Sequence, residues 1–314
     1  MKLGRAFEIL VKRILINVGF SEVKSDGLYI FDGAPGQMIQ GLGEAHNADV
    51  LLEPPVQTPF YSRTRLLVEC KDYSRKVGLN TVRSVLGLRE DINHFDIVDI
   101  NELTVRRSQN RHGIVYNYER YYYQVAIAAL SGYTVPAQKF AATHRIPLLE
   151  FDRMPFWDEF CAEIGLRGVH QNAHRSNREG YEDVEMEARI NNLADSVGQR
   201  MAVAITNSGQ LLFLYRLTGG QNQFADYYSL NWNEPELPWK LNTAAQTYLF
   251  QLPDSIMKLW LDNATTELEM KKEAINCKAS FLSNMIVYYT ENSRPIIKMI
   301  SIDKYKLKKA REKL

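Results

Sequence analysis

Along residues 4–151 the apolar spacing switches repeatedly between the helical and the extended period. That alternation restricts the fold more than any other feature of the chain. Residues 4–17 place Phe7, Leu10, Val11, Ile14, Leu15 and Val18 three and four apart, the stripe of an amphipathic helix, and Gly19-Phe20 closes it. Extended runs follow at 27–31, 48–52 and 65–70, the last carrying Leu66, Leu67 and Val68. Residues 79–92 return to helical spacing through Val82, Val85, Leu86 and Ile92. A strand at 121–130, a helix at 136–144 with Pro136 in its first turn, and a strand at 146–151 complete the order α-β-β-β-α-β-α-β. Elements in this order imply an α/β fold, a mixed sheet flanked by helices.

The chain has 314 residues, and at ~100–200 residues per domain that length suggests two domains. A polar stretch at 166–187, LRGVHQNAHRSNREGYEDVEME, marks the composition shift between them, as a linker or an exposed helix–loop. The expected division is therefore a first domain at 1–165, a linker at 166–190 and a second, α+β domain at 191–314. In that second part, hairpins are expected at 201–205/211–217 and at 285–289/296–302, the latter turning through Glu291-Asn292-Ser293. Strands are expected at 227–232 and 247–252 and a short helix at 254–262, with Tyr228, Trp232 and Trp239 as core.

Hydrophobic residues make up 45% and charged residues 24%, enough for a core and too apolar for a mostly disordered chain. Lys plus Arg is 38 against 37 Asp plus Glu, a net +1, unlike a protein that coats nucleic acid non-specifically. A local basic groove remains compatible with that balance. The apolar run 125–130 is far shorter than the ~20 residues a membrane helix needs. The start, MKLGRAFEIL, lacks a signal-peptide pattern, and Cys70, Cys161 and Cys277 form neither a disulfide framework nor a zinc pattern. The expectation is a cytoplasmic protein with no membrane partner.

Charge collects where apolar runs end. Asp49 lies in GLGEAHNADVLL, where a glycine-bearing stretch enters an apolar run, and Glu69 and Lys71 lie in LLVECKDY, where one leaves it. Strand side chains alternate, so Glu69 and Lys71 share a side while Cys70 turns into the core. Two carboxylates at the ends of adjacent strands suit Mg²⁺, which prefers oxygen ligands. A lysine beside them can orient or deprotonate an attacking water and stabilise charge on phosphorus.

The spacing Asp49…Glu69-Cys70-Lys71 resembles the PD-(D/E)XK nuclease motif, and its surroundings resemble the Mrr-type branch of that superfamily. GRAFEILVKRILINVGF is similar to that branch's first helix, with Glu8 at the place of its frequent glutamate. GLGEAHNADVLL resembles its turn into the metal-binding aspartate, with Ala48 where many members have proline. LLVECKDYSRKVGLNTVRSVLGL resembles its E-x-K strand, loop and helix, and YYYQVAIAALSGYTVPAQKFAATHRIPLLEFD its closing strand–helix–strand. The likeness covers residues 4–152 and implies a restriction-endonuclease-like sheet. It further implies that Asp49, Glu69 and the Cys70 carbonyl bind Mg²⁺, for which Mn²⁺ can substitute. Lys71 would position the water, and Glu8 would hold a water in the metal's shell or shape a second metal site. The implied activity is hydrolysis of double-stranded DNA by a homodimer, in restriction or phage defence. The alternatives are a DNA-binding or scaffolding module with weak or lost nuclease activity, and a nuclease acting on RNA or branched DNA. The second domain would then recognise sequence, sense a ligand or bind a protein partner.

Each residue also has a plainer reading. Glu69 and Lys71 make a surface ion pair, Asp49 a turn residue, and Glu8 an i, i+4 pair with Lys12. His46 reads as solvated, and Tyr121-Tyr122-Tyr123 as strand packing. Arg106, Arg107 and Arg111, in RRSQNRHG, read as a loop that contacts DNA phosphates or as a charged surface loop. The terminal KYKLKKAREKL reads as a basic helix on nucleic acid or a solvated tail.

Overall fold

The computed structural model describes residues 3–34, 36–57, 62–94, 100–111, 120–151, 154–163, 181–207, 210–231, 238–252 and 264–314. The helix expected at 254–262, Trp232, and residues 166–180 of the expected linker lie outside them.

Helix α1 (Leu3–Asn17) leads into β1 (Ser21–Glu22), β2 (Ile30–Gly33), β3 (Gly36–Gln40), β4 (Ala45–Asn47), β5 (Val50–Glu53) and β6 (Arg63–Lys71). Next come α2 (Leu79–Asn93), α3 (Ile100–Ser108), β7 (Tyr121–Ala129), α4 (Val135–Thr143), β8 (Leu148–Glu150), α5 (Trp157–Glu163) and α6 (Tyr181–Gly198). The sheet order is β1-β5-β6-β7-β8, antiparallel from β1 to β6 and parallel from β6 to β8. This is the mixed sheet flanked by helices that the alternation implied. Its faces divide by residue parity. Val50, Leu52, Leu66, Val68, Ala126 and Ala128 pack with α1, while Leu51, Leu67, Val125 and Ile127 pack with α2 and α4.

The strand expected at 27–31 sits elsewhere. The Asp26 carboxylate accepts the N–H groups of Leu28, Tyr29 and Ile30 at 2.8–3.0 Å, which folds that stretch into a turn. The strand begins only at Ile30 and joins β3 and β4 in a separate antiparallel sheet. RRSQNRHG also departs from the expected loop. Arg106 and Arg107 form the last turn of α3, where their charge favours the helix's exposed carbonyls, and Arg111 follows it.

The second part is a closed barrel with two described helices. Its strands are β9 (Met201–Thr206), β10 (Leu211–Arg216), β11 (Tyr227–Asn231), β12 (Trp239–Asn242), β13 (Thr247–Phe250), β14 (Asn284–Glu291) and β15 (Arg294–Ile302). Their order around the barrel is β10-β13-β12-β11-β15-β14-β9. Helix α7 (Glu267–Ser280) starts at a capping box between Thr266 and Glu269, and α8 (Lys304–Arg311) follows β15. Both expected hairpins are present as β9–β10 and β14–β15. The second turns through Asn292 and Ser293 at φ 49° and 61°, the left-handed pair that matches hairpin twist. Trp239, Tyr228, Tyr248 and Phe250 fill the barrel interior.

Residues 181–190, expected as linker, are instead the first half of α6. Ile190, Ala194 and Val197 recur at helical spacing and are buried against α1. On β9 and β10, Ala202, Ala204, Leu212 and Leu214 face the barrel interior. Met201, Val203, Leu211, Phe213 and Tyr215 belong to the same cluster as α1. One hydrophobic core thus joins sheet, α1, α6 and barrel. Leu10 is fully buried within it, so Leu10→Ala is expected to cost about 2–5 kcal/mol. Thermal melts followed by tryptophan fluorescence and by far-UV circular dichroism should shift together. Two separable transitions, only one of them moved, would contradict the shared core.

Candidate metal and phosphate site

Strand β6 is buried through Leu66, Leu67 and Val68 between β5 and β7, and becomes partly accessible at Glu69, Cys70 and Lys71. The β5–β6 register ends with Val50 opposite Val68, and Asp49 and Glu69 are the next residue on either strand. Asp49 Oδ2 accepts the backbone N–H of Cys70 at 2.9 Å, and its Oδ1 accepts Asn47 Nδ2 at 3.1 Å. Lys71 Nζ donates to Glu69 Oε2 at 2.7 Å, which places both on one side of the strand. The Cys70 side chain packs on the opposite side, with the α1 cluster.

Burial, then the charge of Glu69, pushes the Asp49 carboxyl up to about 6 against the opposing Cys70 N–H bond and Lys71, and Glu8 adds to the rise. Burial alone would lower the Lys71 ammonium, but the charge of Glu69, their hydrogen bond and Asp49 hold it above the usual lysine range. Lys71 is therefore a charged donor at neutral pH. Burial, with Asp49, Glu8 and Glu69 around it, raises the Cys70 thiol far up, so it stays protonated.

Asp49, Glu69, Lys71 and Glu8 thus fall within electrostatic reach of one another. They open into two adjoining grooves. One, of about 470 Å³, is lined by Arg5, Glu8, Lys12, Asn47, Asp49 and Asp72 among others. The second, of about 540 Å³, holds His46, Asn47, Glu69, Lys71, Tyr73 and Asn80. Asn47 lines both. Glu8 pairs with Arg5 at 3.0 Å, not with Lys12, which reaches Glu22 at 3.0 Å. Arg106, Arg107 and Arg111 line neither groove.

His46, expected to be solvated, lies in the Glu69–Lys71 groove with Nε2 2.6 Å from Asp91 Oδ2. Asp91, on α2, also accepts the Gly43 N–H at 2.9 Å, and these bonds hold its carboxyl below the usual range. Gly41 allows this packing, since a Cβ there would meet the Glu44 carbonyl at 2.7 Å as well as Asp91. No local signal points to this pair, because its members are 45 residues apart. Tyr121 stacks under the Arg65 guanidinium at 3.6 Å and Tyr123 is buried, in keeping with strand packing.

Among the described residues no group of three or more His, Cys, Asp or Glu side chains is arranged to hold a metal ion. The carboxylates present include Asp49 and Glu69, near enough for the charge of Glu69 to act on Asp49, a chemistry that fits a hard divalent cation completed by other oxygens. No described helix is long and apolar enough to cross a membrane. No family model matches the chain, and no curated protein matches it. A solved crystal structure of a protein of unknown function, AF1548, is similar at 14% identity and a TM-score of 0.33, over 62% of this chain and 96% of that one.

The Asp49 carboxyl sits near 6 in the fold against a model-peptide 3.8. Between those values the folded state binds more protons than the unfolded one, so this group's contribution to stability falls as pH rises. Asp49→Asn keeps an acceptor for Cys70 and removes the charge. It is expected to stabilise the metal-free protein by about 3 kcal/mol at pH 7.5, where one pKa unit equals ~1.4 kcal/mol. The gain should vanish near pH 4, as read by denaturant titrations of both forms at each pH.

Proposed function

We propose that this chain is a Mg²⁺- or Mn²⁺-dependent endonuclease of the restriction-endonuclease-like class, resembling the Mrr branch, that hydrolyses phosphodiester bonds in double-stranded DNA. The observation that carries the reading is the Asp49 carboxylate bonded to the Cys70 N–H, between Glu69 and Lys71 on the chain, with the Lys71 ammonium bonded to Glu69. The mixed sheet with α1 on one face and α2 and α4 on the other supports the same reading.

In this reading Asp49 and Glu69 hold the cation, with the Cys70 carbonyl as a further oxygen. When bound, the cation supplies positive charge to a phosphate oxygen and acidifies water. Lys71, kept protonated by Glu69, donates hydrogen bonds that orient the attacking water and offset charge on the phosphate. A lysine held charged is a poor proton acceptor, so its role is orientation and charge stabilisation. Glu8, in the groove with Asp49, accepts a hydrogen bond from water on that side. His46 and Asn80 flank Lys71 as polar contacts for the substrate backbone. Cutting both strands with one site per chain calls for two copies, so a homodimer goes with this reading, as does a role in restriction or phage defence.

The test is a time course on supercoiled plasmid, methylated and unmethylated, with Mg²⁺, Mn²⁺ or EDTA. Nicking or linearisation is expected with either metal and none with EDTA. Lys71→Ala and Asp49→Ala should each slow it roughly 10²–10³-fold, the range for removing one preorganised charge-stabilising group. Cleavage at the parent rate by both variants would sink the proposal. No cleavage, with equal DNA binding by all three forms, would favour a binding module.

A further inference from the structure

The C-terminal stretch is a folded helix seated on the barrel. Asp303 caps α8 by accepting the Lys306 N–H at 3.0 Å, and Leu307 packs against the barrel core. From Asp303 onward the chain has six Lys or Arg (Lys304, Lys306, Lys308, Lys309, Arg311 and Lys313) against Asp303 and Glu312. That is a net +4 in a chain whose total is +1, so the remainder is net negative.

Helix stability explains part of this charge. Lys308, Lys309 and Arg311 lie in the last turn, where cations favour the helix dipole. Lys304 and Lys306 lie in the first turn, where they oppose it. Neutralising partners are few and distant. Lys306 is 4.0 Å from Asp303 and Lys308 is 3.9 Å from Glu312. Among the described residues the other four cations have no ion pair. Leu307 faces the barrel, so the helical period turns Lys306, Lys308, Lys309 and Lys313 outward, with Tyr305, 75% exposed, among them.

A surface helix that carries Lys304 and Lys306 against its own dipole, in a stretch where four of the six cations have no ion pair among the described residues, is built for an external polyanion. A helix lying in a bilayer needs a free apolar face, and here that face is already taken by the barrel. Phosphates along a nucleic-acid backbone need only charge and hydrogen-bond donors, and an exposed tyrosine adds a surface for a base or sugar. We propose that α8 is the barrel's contact surface for the phosphate backbone of nucleic acid. The choice of nucleic acid as the polyanion rests on the nuclease reading above.

The experiment uses the full chain in EDTA, so that nothing is cut, and reads the anisotropy of a short labelled DNA duplex across a KCl series. The parent is compared with a variant carrying Lys306→Gln, Lys308→Gln and Lys309→Gln, whose fold is checked by its melting curve. The slope of log affinity against log salt should flatten by roughly 2–3, at ~0.9 per lost phosphate contact, with binding weakened more than ~10-fold at low salt. An unchanged slope and affinity would overturn the proposal. So would a parent that binds phosphatidylserine–phosphatidylcholine vesicles but neither duplex nor single-stranded nucleic acid. Cleavage is read separately on supercoiled plasmid with Mg²⁺. A flattened slope in a protein that never cuts would therefore remove the nuclease reading and leave α8 standing, while normal cleavage with an unchanged slope would remove α8 alone.

Discussion

Helix α1 has no free apolar face, and the rest of the molecule is organised by that burial. Phe7, Leu10, Val11, Ile14, Leu15 and Val18 are fully buried. They share one cluster with the sheet strands β5 and β6, with α6, and with β9 and β10 of the barrel. The end of α1 is tied to the barrel as well. Thr290 Oγ1 donates to the Asn17 carbonyl at 3.1 Å, and Phe20 packs on Tyr288 with ring centroids 5.9 Å apart. Gly19, at φ 107°, lets the chain leave the helix beside Pro295, where a Cβ would come within 2.8 Å. The bidentate Arg13–Asp195 pair, at 2.6 and 3.0 Å, is half exposed. It fixes the orientation of α6 more than it stabilises the fold.

Because α1 also carries Glu8 into the groove with Asp49, the seating of this helix bears directly on the site. The site itself runs against stability. A half-buried aspartate lies within reach of a second carboxylate's charge, and the two are held by a backbone N–H and one lysine. Buried like charges are costly unless something positive joins them, which is the usual state of a functional site rather than of a structural core. The same contacts keep Lys71 protonated, so within this cluster the lysine donates and Glu69 accepts.

The barrel is attached by the outer face of its first hairpin, so β9 and β10 are buried on both sides. That explains why Leu211–Tyr215 reads as an unbroken apolar run instead of an alternating one. Helix α6 adds one buried edge, Ile190, Ala194 and Val197, to the same core and keeps its other face exposed. On the far side, α8 spends its one large apolar residue on the barrel and turns lysines outward.

The sequence by itself determined the elements whose periodicity is strong and local: α1, α2, α4, β6, β7, both hairpins, and the placing of Glu69 and Lys71 on one side of a strand with Cys70 on the other. These depend on alternation and helical spacing, which are written residue by residue. Tertiary structure decided what depends on distant partners. Asp26 turned the expected strand at 27–31 into a loop by binding three N–H groups. The Cys70 N–H tied the Asp49 carboxylate to β6 from 21 residues away. Asp91 drew His46 to the groove from 45 residues away. The α1 surface, apolar on more than one side, is covered by Ile190, Ala194 and Val197 of α6, one apolar residue per turn of a polar-looking helix whose partner face lies far off in sequence.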